Sequence, residues 1–398
     1  MEAFVHMGEV NSAQTSIHLH LRKHLQQREQ KLRTRVLRLN PSDRIQLIQN
    51  DYHGFSQLPL KSNAPSGAGG SRLLGGNGPA HIELERFLAS ALHQEGGLIF
   101  PSGYQCHLSV LTTLVESGAF TPISDHLNHT CLVEGLRSHP GYRYRHQDLE
   151  DCHKKILAAK HRNPEKTPLV ILESLHSMDG SVADLQTLLQ IKTETGAWLV
   201  MDEAHAVGVC GKHGLGLADE HGMTQQIDVI LGTFSKGLGL QGAFVASQSL
   251  VIEYLTNFAK GFIYTTGLSP ALAETAHHRL HQLIREPLHI QRLRRRIGEF
   301  MSLTQVFRHH SPLSPIFQIP FEHETHLFSA HEWLEKNGVI TGCIRPPTYP
   351  HPMLRVCVHS YGSEETWEGI LRIFQTFFTL FPMVPYGSKT LRHSRNWN

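Results

Sequence analysis

At 398 residues, 40% apolar and 18% charged, the chain has the makeup of a folded protein long enough for two domains and a substantial core. A net charge of +2 gives no basis for a nucleic-acid or acidic-membrane partner. The six cysteines show no C-x-x-C spacing, which argues against a zinc knuckle or a disulfide framework, and the 30 histidines are dispersed.

From the start, Met1 to Glu29 is polar and lacks the apolar core of a signal peptide. No run approaches the length of a membrane span, so a reducing, cytoplasmic setting is expected. Ile17, Leu19, Leu21, Leu25, Leu32 and Val36 recur among Arg, Lys and Gln, which predicts an amphipathic helix over 17–38. Leu60 to Gly78, rich in Gly and Ser, reads as loop, and Ile82 to Ala91 as helix. Short apolar runs then alternate with helical stretches: Gly97–Pro101, Pro168–Glu173, Trp198–Asp202, Ile227–Gly232 and Ala243–Ala246. That alternation predicts an α/β domain with a mostly parallel sheet flanked by helices. After Arg285-Glu-Pro287 come a basic helix, His289 to Phe300, strand candidates Ser314–Pro320, Val339–Ile344 and Met353–His359, and a helix, Glu364 to Phe378. The expected organisation is a helical segment over 1–49, a large domain over 50–284, a smaller α+β domain over 285–382 and a polar tail over 383–398.

Two strand ends carry the chemistry. Trp198-Leu-Val-Met-Asp202-Glu-Ala-His205 delivers an acid and a histidine; Gly232-Thr-Phe-Ser-Lys236-Gly-Leu-Gly239 delivers a lysine among hydroxyls and glycines. An acid able to hold a proton on a pyridine nitrogen and a lysine able to form an imine are the protein groups that pyridoxal phosphate (PLP) requires. Asp202 alone would read as a helix cap or loop acid; paired with Lys236 it does not. Asp-Glu-Ala-His also occurs in ATP-driven helicases, but the phosphate loop they need is missing upstream. Gly237-Leu-Gly239-Leu-Gln-Gly242 fits G-x-G-x-x-G, yet the strand-like Ala243-Phe-Val-Ala-Ser follows where a dinucleotide fold needs a helix. The glycines are better read as letting the backbone turn tightly beside Lys236. His126-x-x-His129 lacks a third ligand, and no metal is expected. Ser102-Gly103-Tyr104, between strand and helix, could offer N–H groups to a phosphate or be an ordinary cap.

Taken in order, these pieces resemble the α-oxoamine synthases, PLP-dependent enzymes of fold type I. The match runs through Asn50-Asp-Tyr52, Gly69-Gly-Ser-Arg-Leu-Leu-Gly-Gly-Asn77, Phe100-Pro-Ser-Gly103-Tyr104 and Asp125-His-Leu-Asn-His129. It continues through Glu173-Ser-Leu-His-Ser177-Met-Asp-Gly180, Asp202-Glu-Ala-His205, Thr233-Phe-Ser-Lys236, Ile263-Tyr-Thr-Thr266, Ile344-Arg-Pro-Pro-Thr348 and Arg355. The resemblance implies that Lys236 holds PLP as an imine and later acts as acid and base, and that Asp202 pairs with the ring nitrogen. It implies that His129 stacks on the ring, that His205 and Ser177 meet its phenolic oxygen, and that Gly103, Tyr104 and Thr233 hold the phosphate. Thr266 would reach the phosphate of a neighbouring subunit in a homodimer. Arg345 would clamp the amino-acid carboxylate, a role that suits a bidentate guanidinium. Asn50 would line the substrate site and Arg33 would recognise the acyl substrate. Ile344-Arg-Pro-Pro-Thr348 is similar to the biotin-pathway branch, which joins L-alanine to a pimeloyl thioester of coenzyme A or acyl carrier protein and releases CO2. Another branch would join glycine or serine to a different acyl-CoA. The stretches before Asn50 and from Tyr52 to Gly69 are short, which bears on the acyl entrance, and two residues depart from the family: His53 where it usually has Leu and His107 where Asn is common, changes expected to spare the PLP contacts and to bear on the acyl donor.

Overall fold

The computed structural model describes residues 12–381, positions 32, 38, 40, 42 and 140 excepted; the tail expected over 383–398 lies outside them. By internal contacts the chain divides into Met1–Arg44 and Ile45–Asn398. The first unit holds one helix, Ser12–Gln30, which begins and ends earlier than the expected 17–38. Its Ile17, Leu19, Leu21 and Leu25 are exposed. At 100° per residue Leu19 falls on the side opposite Ile17 and Leu21, so these residues form no single stripe.

Within the second unit lies a seven-stranded sheet. In chain order, after a short β1 (Ile45–Gln46), its strands are β2 (Gly96–Phe100), β3 (Phe120–Asp125), β4 (Tyr142–Tyr144), β5 (Thr167–Glu173), β6 (Trp198–Asp202), β7 (Val229–Thr233) and β8 (Ala243–Ser247). They lie in the order β2-β8-β7-β6-β5-β3-β4, all parallel but β8, which runs against both neighbours. Alternation along each strand sends successive side chains to opposite faces. In β6, Val200 joins a cluster with Val110, Leu111 and Leu114 of the helix Gly103–Glu116, whereas Leu199 and Met201 join one with Leu185, Leu188 and Leu280. Both faces are covered, which is why these strands read as continuous apolar runs.

The five expected strands appear within a few residues of their windows; β3 and β4 were not expected. Phe120-Thr-Pro-Ile-Ser-Asp carries a proline and two hydroxyls, a composition that speaks against an interior strand, and β4 is only three residues long. Gly141 permits the pairing: a Cβ there would collide with the Pro122 carbonyl.

A second, three-stranded antiparallel sheet has the order β11-β12-β9, from β9 (Ile316–Pro320), β11 (Gly342–Ile344) and β12 (Met353–Cys357). The run expected as one strand over 339–344 is split at Thr341: β10 (Val339–Ile340) leaves to pair with β1. Leu293, Ile297 and Phe300 of the helix Leu288–Met301 and Trp367, Ile370, Phe374 and Phe377 of the helix Glu364–Leu380 pack on this sheet. Among the described residues, no helix is long and apolar enough to cross a membrane.

Candidate active site

Three neighbouring parallel strands end side by side, β5 on Glu173, β6 on Asp202 and β7 on Thr233, with Glu173 opposite Asp202 and Asp202 opposite Leu231. Carboxyl ends of strands are where open α/β sheets hold ligands. Asp202 shares a pleat face with Val200, toward the helix Gly103–Glu116. It is 4% exposed; its Oδ1 accepts the Ala204 N–H at 2.8 Å and lies 2.9 Å from His107 Nε2. Burial alone would raise the carboxyl pKa, but His107, Lys236 and the Ala204 N–H together hold it below the usual carboxylate range.

After β7 the chain turns at Thr233-Phe234-Ser235-Lys236. The Gly242 carbonyl accepts from both the Phe234 N–H and Thr233 Oγ1 at 2.9 Å, and the Gly239 N–H donates to the Lys236 carbonyl at 2.9 Å with Gly239 at φ 60°. Gly237 serves close approach instead: a Cβ on it would collide with the Val207 carbonyl and lie 2.9 Å from Gly208 Cα. The acid-bearing and lysine-bearing loops thus touch backbone to backbone. The Lys236 side chain is partly buried. Desolvation lowers its pKa below the ordinary lysine value, against the pull of Asp202 and Glu173, and Arg355 adds to the lowering.

Glu173, given no role by the sequence, organises the neighbouring turns. Its Oε1 accepts the His129 N–H at 2.7 Å and its Oε2 the Ser177 N–H at 2.9 Å. His129 caps the helix Thr130–Gly135, with Nδ1 accepting the Cys131 N–H at 3.3 Å, and its ring remains exposed. Burial and Lys236 lower its pKa, opposed by Glu173 and Asp202. His205 is 5% exposed, with Nδ1 2.8 Å from the Tyr52 hydroxyl; burial, Lys236 and Arg355 push its pKa well down, leaving a neutral ring. Lys236, Asp202, His129 and His205 therefore stand in one electrostatic neighbourhood.

Arg355 was part of the matched sequence but carried no assigned role. Its Nε donates to the Ser177 carbonyl and its Nη2 to Asn50 Oδ1, both at 2.8 Å, and its charge acts on Lys236 and His205. Arg345 instead lies 3.7 Å from Glu324 and stacks on Phe328 at 5.3 Å. Thr266 is exposed and bridges to Ser71, and Tyr104 is exposed on the first turn after the Ser102 cap. Arg33 belongs to the first unit, where its N–H donates to the Arg28 carbonyl at 2.7 Å; its role rests on the resemblance alone.

Both departures have structural explanations. His53 is 3% exposed, its Nε2 donating to the Gly208 carbonyl and its Nδ1 2.8 Å from Ser360 Oγ, so it is an internal strut under the acid-bearing loop. His107 faces Asp202. Among the described residues one group, His146, His176 and Asp179, has the makeup of a metal site, but its ring nitrogens are already engaged with carboxylates, a hydroxyl and a carbonyl.

PLP demands an anion for its ring nitrogen, an amine for its aldehyde, and N–H and hydroxyl donors for its phosphate. Asp202 and Lys236 meet the first two. For the third, Gly103 opens a helix beside Thr233, a Cβ position on it lying 3.4 Å from the Thr233 hydroxyl, so helix end and hydroxyl are in reach of a common ligand. The donor set fits.

The family model for aminotransferase class I and II matches residues 42–374. The chain belongs to this PLP-dependent family. Relatives named 8-amino-7-oxononanoate synthase include one from Pseudomonas paraeruginosa, 35% identical over 346 residues and covering 82% of this chain and 84% of its own. A putative one from Rippkaea orientalis is 34% identical over 330 residues, with 80% and 86% covered. Among solved structures, a serine palmitoyltransferase from S. paucimobilis with a PLP–myriocin ligand has a TM-score of 0.78 at 25% identity, covering 92% of this chain and 98% of that one. An 8-amino-7-oxononanoate synthase from Francisella tularensis has a TM-score of 0.69 at 23% identity, with 85% and 99% covered, a likeness of fold. The chain is a fold type I enzyme and a PLP-dependent acyltransferase of the 8-amino-7-oxononanoate synthase kind.

Proposed function

We propose that the enzyme condenses L-alanine with a pimeloyl thioester, carried on coenzyme A or acyl carrier protein, to give 8-amino-7-oxononanoate, CO2 and the free thiol. The observation that carries this reading is the Lys236 amine lying under the joint influence of the Asp202 and Glu173 carboxylates and the Arg355 guanidinium. That arrangement suits a proton shuttle beside an anchored amino acid; the relatives' names supply the substrates.

PLP, when bound, supplies the electron sink that makes an α-proton removable and a carboxylate able to leave as CO2. Asp202, kept ionised, would hold the proton on the ring nitrogen. The Gly103 and Tyr104 N–H groups and the Thr233 hydroxyl would grip the phosphate, with Thr266 reaching that of a second copy in a homodimer. His129 would cover the ring, its backbone fixed by Glu173, and neutral His205 with Ser177 would meet the phenolic oxygen. Lys236 would take the proton from the α-carbon of alanine and later return one after CO2 has left. A lysine below its ordinary pKa spends more time as the free amine this requires. Asn50 and Arg355 would line the substrate site, with Arg355 holding the carboxylate. Arg345 would take that role only by leaving Glu324, and Arg33 would meet the acyl donor.

The likeness to serine palmitoyltransferase favours one competing reading, a serine-using enzyme with another acyl-CoA. Purified enzyme assayed with alanine, glycine and serine against pimeloyl and long-chain thioesters separates the two. The expected result is CO2 and thiol release from alanine with the pimeloyl thioester. Lys236→Ala should lower that rate by about 10²–10⁴-fold, the usual worth of a positioned acid–base group. Turnover of serine with a long-chain thioester, and none of alanine with pimeloyl, would sink the proposal.

A further inference from the structure

His107 lies on the second turn of the helix Gly103–Glu116. Its side chain is 2% exposed. Nδ1 lies 2.6 Å from the Gly103 carbonyl, which can only accept, so Nδ1 carries a hydrogen. Nε2 is then the nitrogen that meets Asp202 Oδ1 at 2.9 Å. The oxygen sits off the N–H axis and leaves Nε2 without a well-aligned hydrogen bond. The ring is held at Nδ1 by the backbone of its own helix and packs its Nε2 edge against the carboxylate.

We propose that His107 is a positioning residue that holds the Asp202 carboxylate in place for the cofactor's ring nitrogen. Lys236 also bears on Asp202. The charged and titratable groups around the pair are Asp202 on β6, Glu173 on β5, Lys236 after β7, His129 and Cys131 at the helix Thr130–Gly135, and Cys106 on His107's own helix. The same Gly103 whose carbonyl holds His107 opens the helix proposed to grip the phosphate, so one residue ties both ends of the cofactor cradle.

The inference rests on Asp202 being the ring-nitrogen partner, and its test separates the two ideas. In the apo protein labelled with 15N-histidine, the ring signals assigned to His107 by their loss in His107→Gln should move in Asp202→Asn. PLP binding, followed by absorbance, should weaken at least tenfold in His107→Leu and less in His107→Asn. The pH midpoint of the bound cofactor's absorption band should move in both, while circular dichroism confirms folding. His107 ring signals that Asp202→Asn leaves in place, or His107→Leu binding PLP within twofold of wild type with an unmoved midpoint, overturn the proposal for His107. If Asp202→Asn also leaves PLP binding unchanged, the reading of Asp202 falls instead.

Discussion

Two regions of this chain bury histidines in pairs, one pair neutral and the other charged at pH 7. His53 and His359 sit between Ile45–Gln57 and the segment after β12. Their acceptors are carbonyls, Gly208 for His53 and Gln49 for His359, and His53 takes a hydroxyl on its other nitrogen. Burial dominates and draws both to a pKa of about 4, so they are neutral at pH 7. His146 and His176 lie in contact with each other at 4.5 Å, beyond the ends of β4 and β5. His146 lies between Asp125 at 2.9 Å and Asp179 at 3.2 Å, and His176 between Asp179 at 2.9 Å and the Leu127 carbonyl at 2.8 Å. Burial works against the charge here too, yet the carboxylates override it and lift them to about 9 and about 10. What decides a buried histidine's charge is the count of anionic acceptors around its ring, and burial only sets how many are needed.

The largest expected effect comes from taking away the shared anion. Asp179→Ala strips His146, His176 and the Tyr349 hydroxyl of a partner. Breaking a buried ion pair costs about 3–5 kcal/mol. Urea unfolding at pH 7 reads it, and a loss under about 1 kcal/mol would mean the two rings are not charged.

Next comes the pH dependence, with opposite signs for the two pairs. Unfolded histidine takes up a proton below pH 6.5, but His53 and His359 refuse it until about pH 4. Their contribution is therefore present above 6.5 and lost as pH falls toward 4, by up to about 3 kcal/mol each. His146 and His176 contribute fully below 6.5 and lose it as pH rises through 9 to 10. Unfolding free energies at several pH values should show both limbs, and His53→Leu should flatten only the acid one. An unchanged acid slope in that variant would break the comparison. The smallest effect is Tyr349→Phe, which removes a single hydrogen bond to Asp179 at 3.1 Å and should cost about 0.5–1.5 kcal/mol by the same measurement.

The parts of this site legible in the sequence were those with local signals. Asp202 and Lys236 each follow an apolar strand, and β6 appeared with both ends where the apolar run placed them. What stayed hidden was long-range. Glu173 ends a readable strand, but nothing nearby says that it binds the backbones of residues 129 and 177. His146 and Asp179 are separated by 33 positions; Asp179 falls inside the matched Glu173–Gly180 run but was given no role there, and His146 lies outside every matched run. Arg355 sits mid-strand on β12; it belonged to the matched sequence, but only the sheet brings it to Asn50. β3 was concealed by Pro122, whose strand character depends on Gly141 giving its carbonyl room. His53 was expected to bear on the acyl donor; the fold makes it an internal support, which only its long-range partners Gly208 and Ser360 reveal.

The meeting of Gly208 and Gly237 has one more consequence. Because main chain rests on main chain, the gap between the acid and the amine is calibrated by the polypeptide itself and not by any side chain that drift could resize. Pocket walls can therefore diversify for new acyl groups while the distance on which the chemistry depends stays the same.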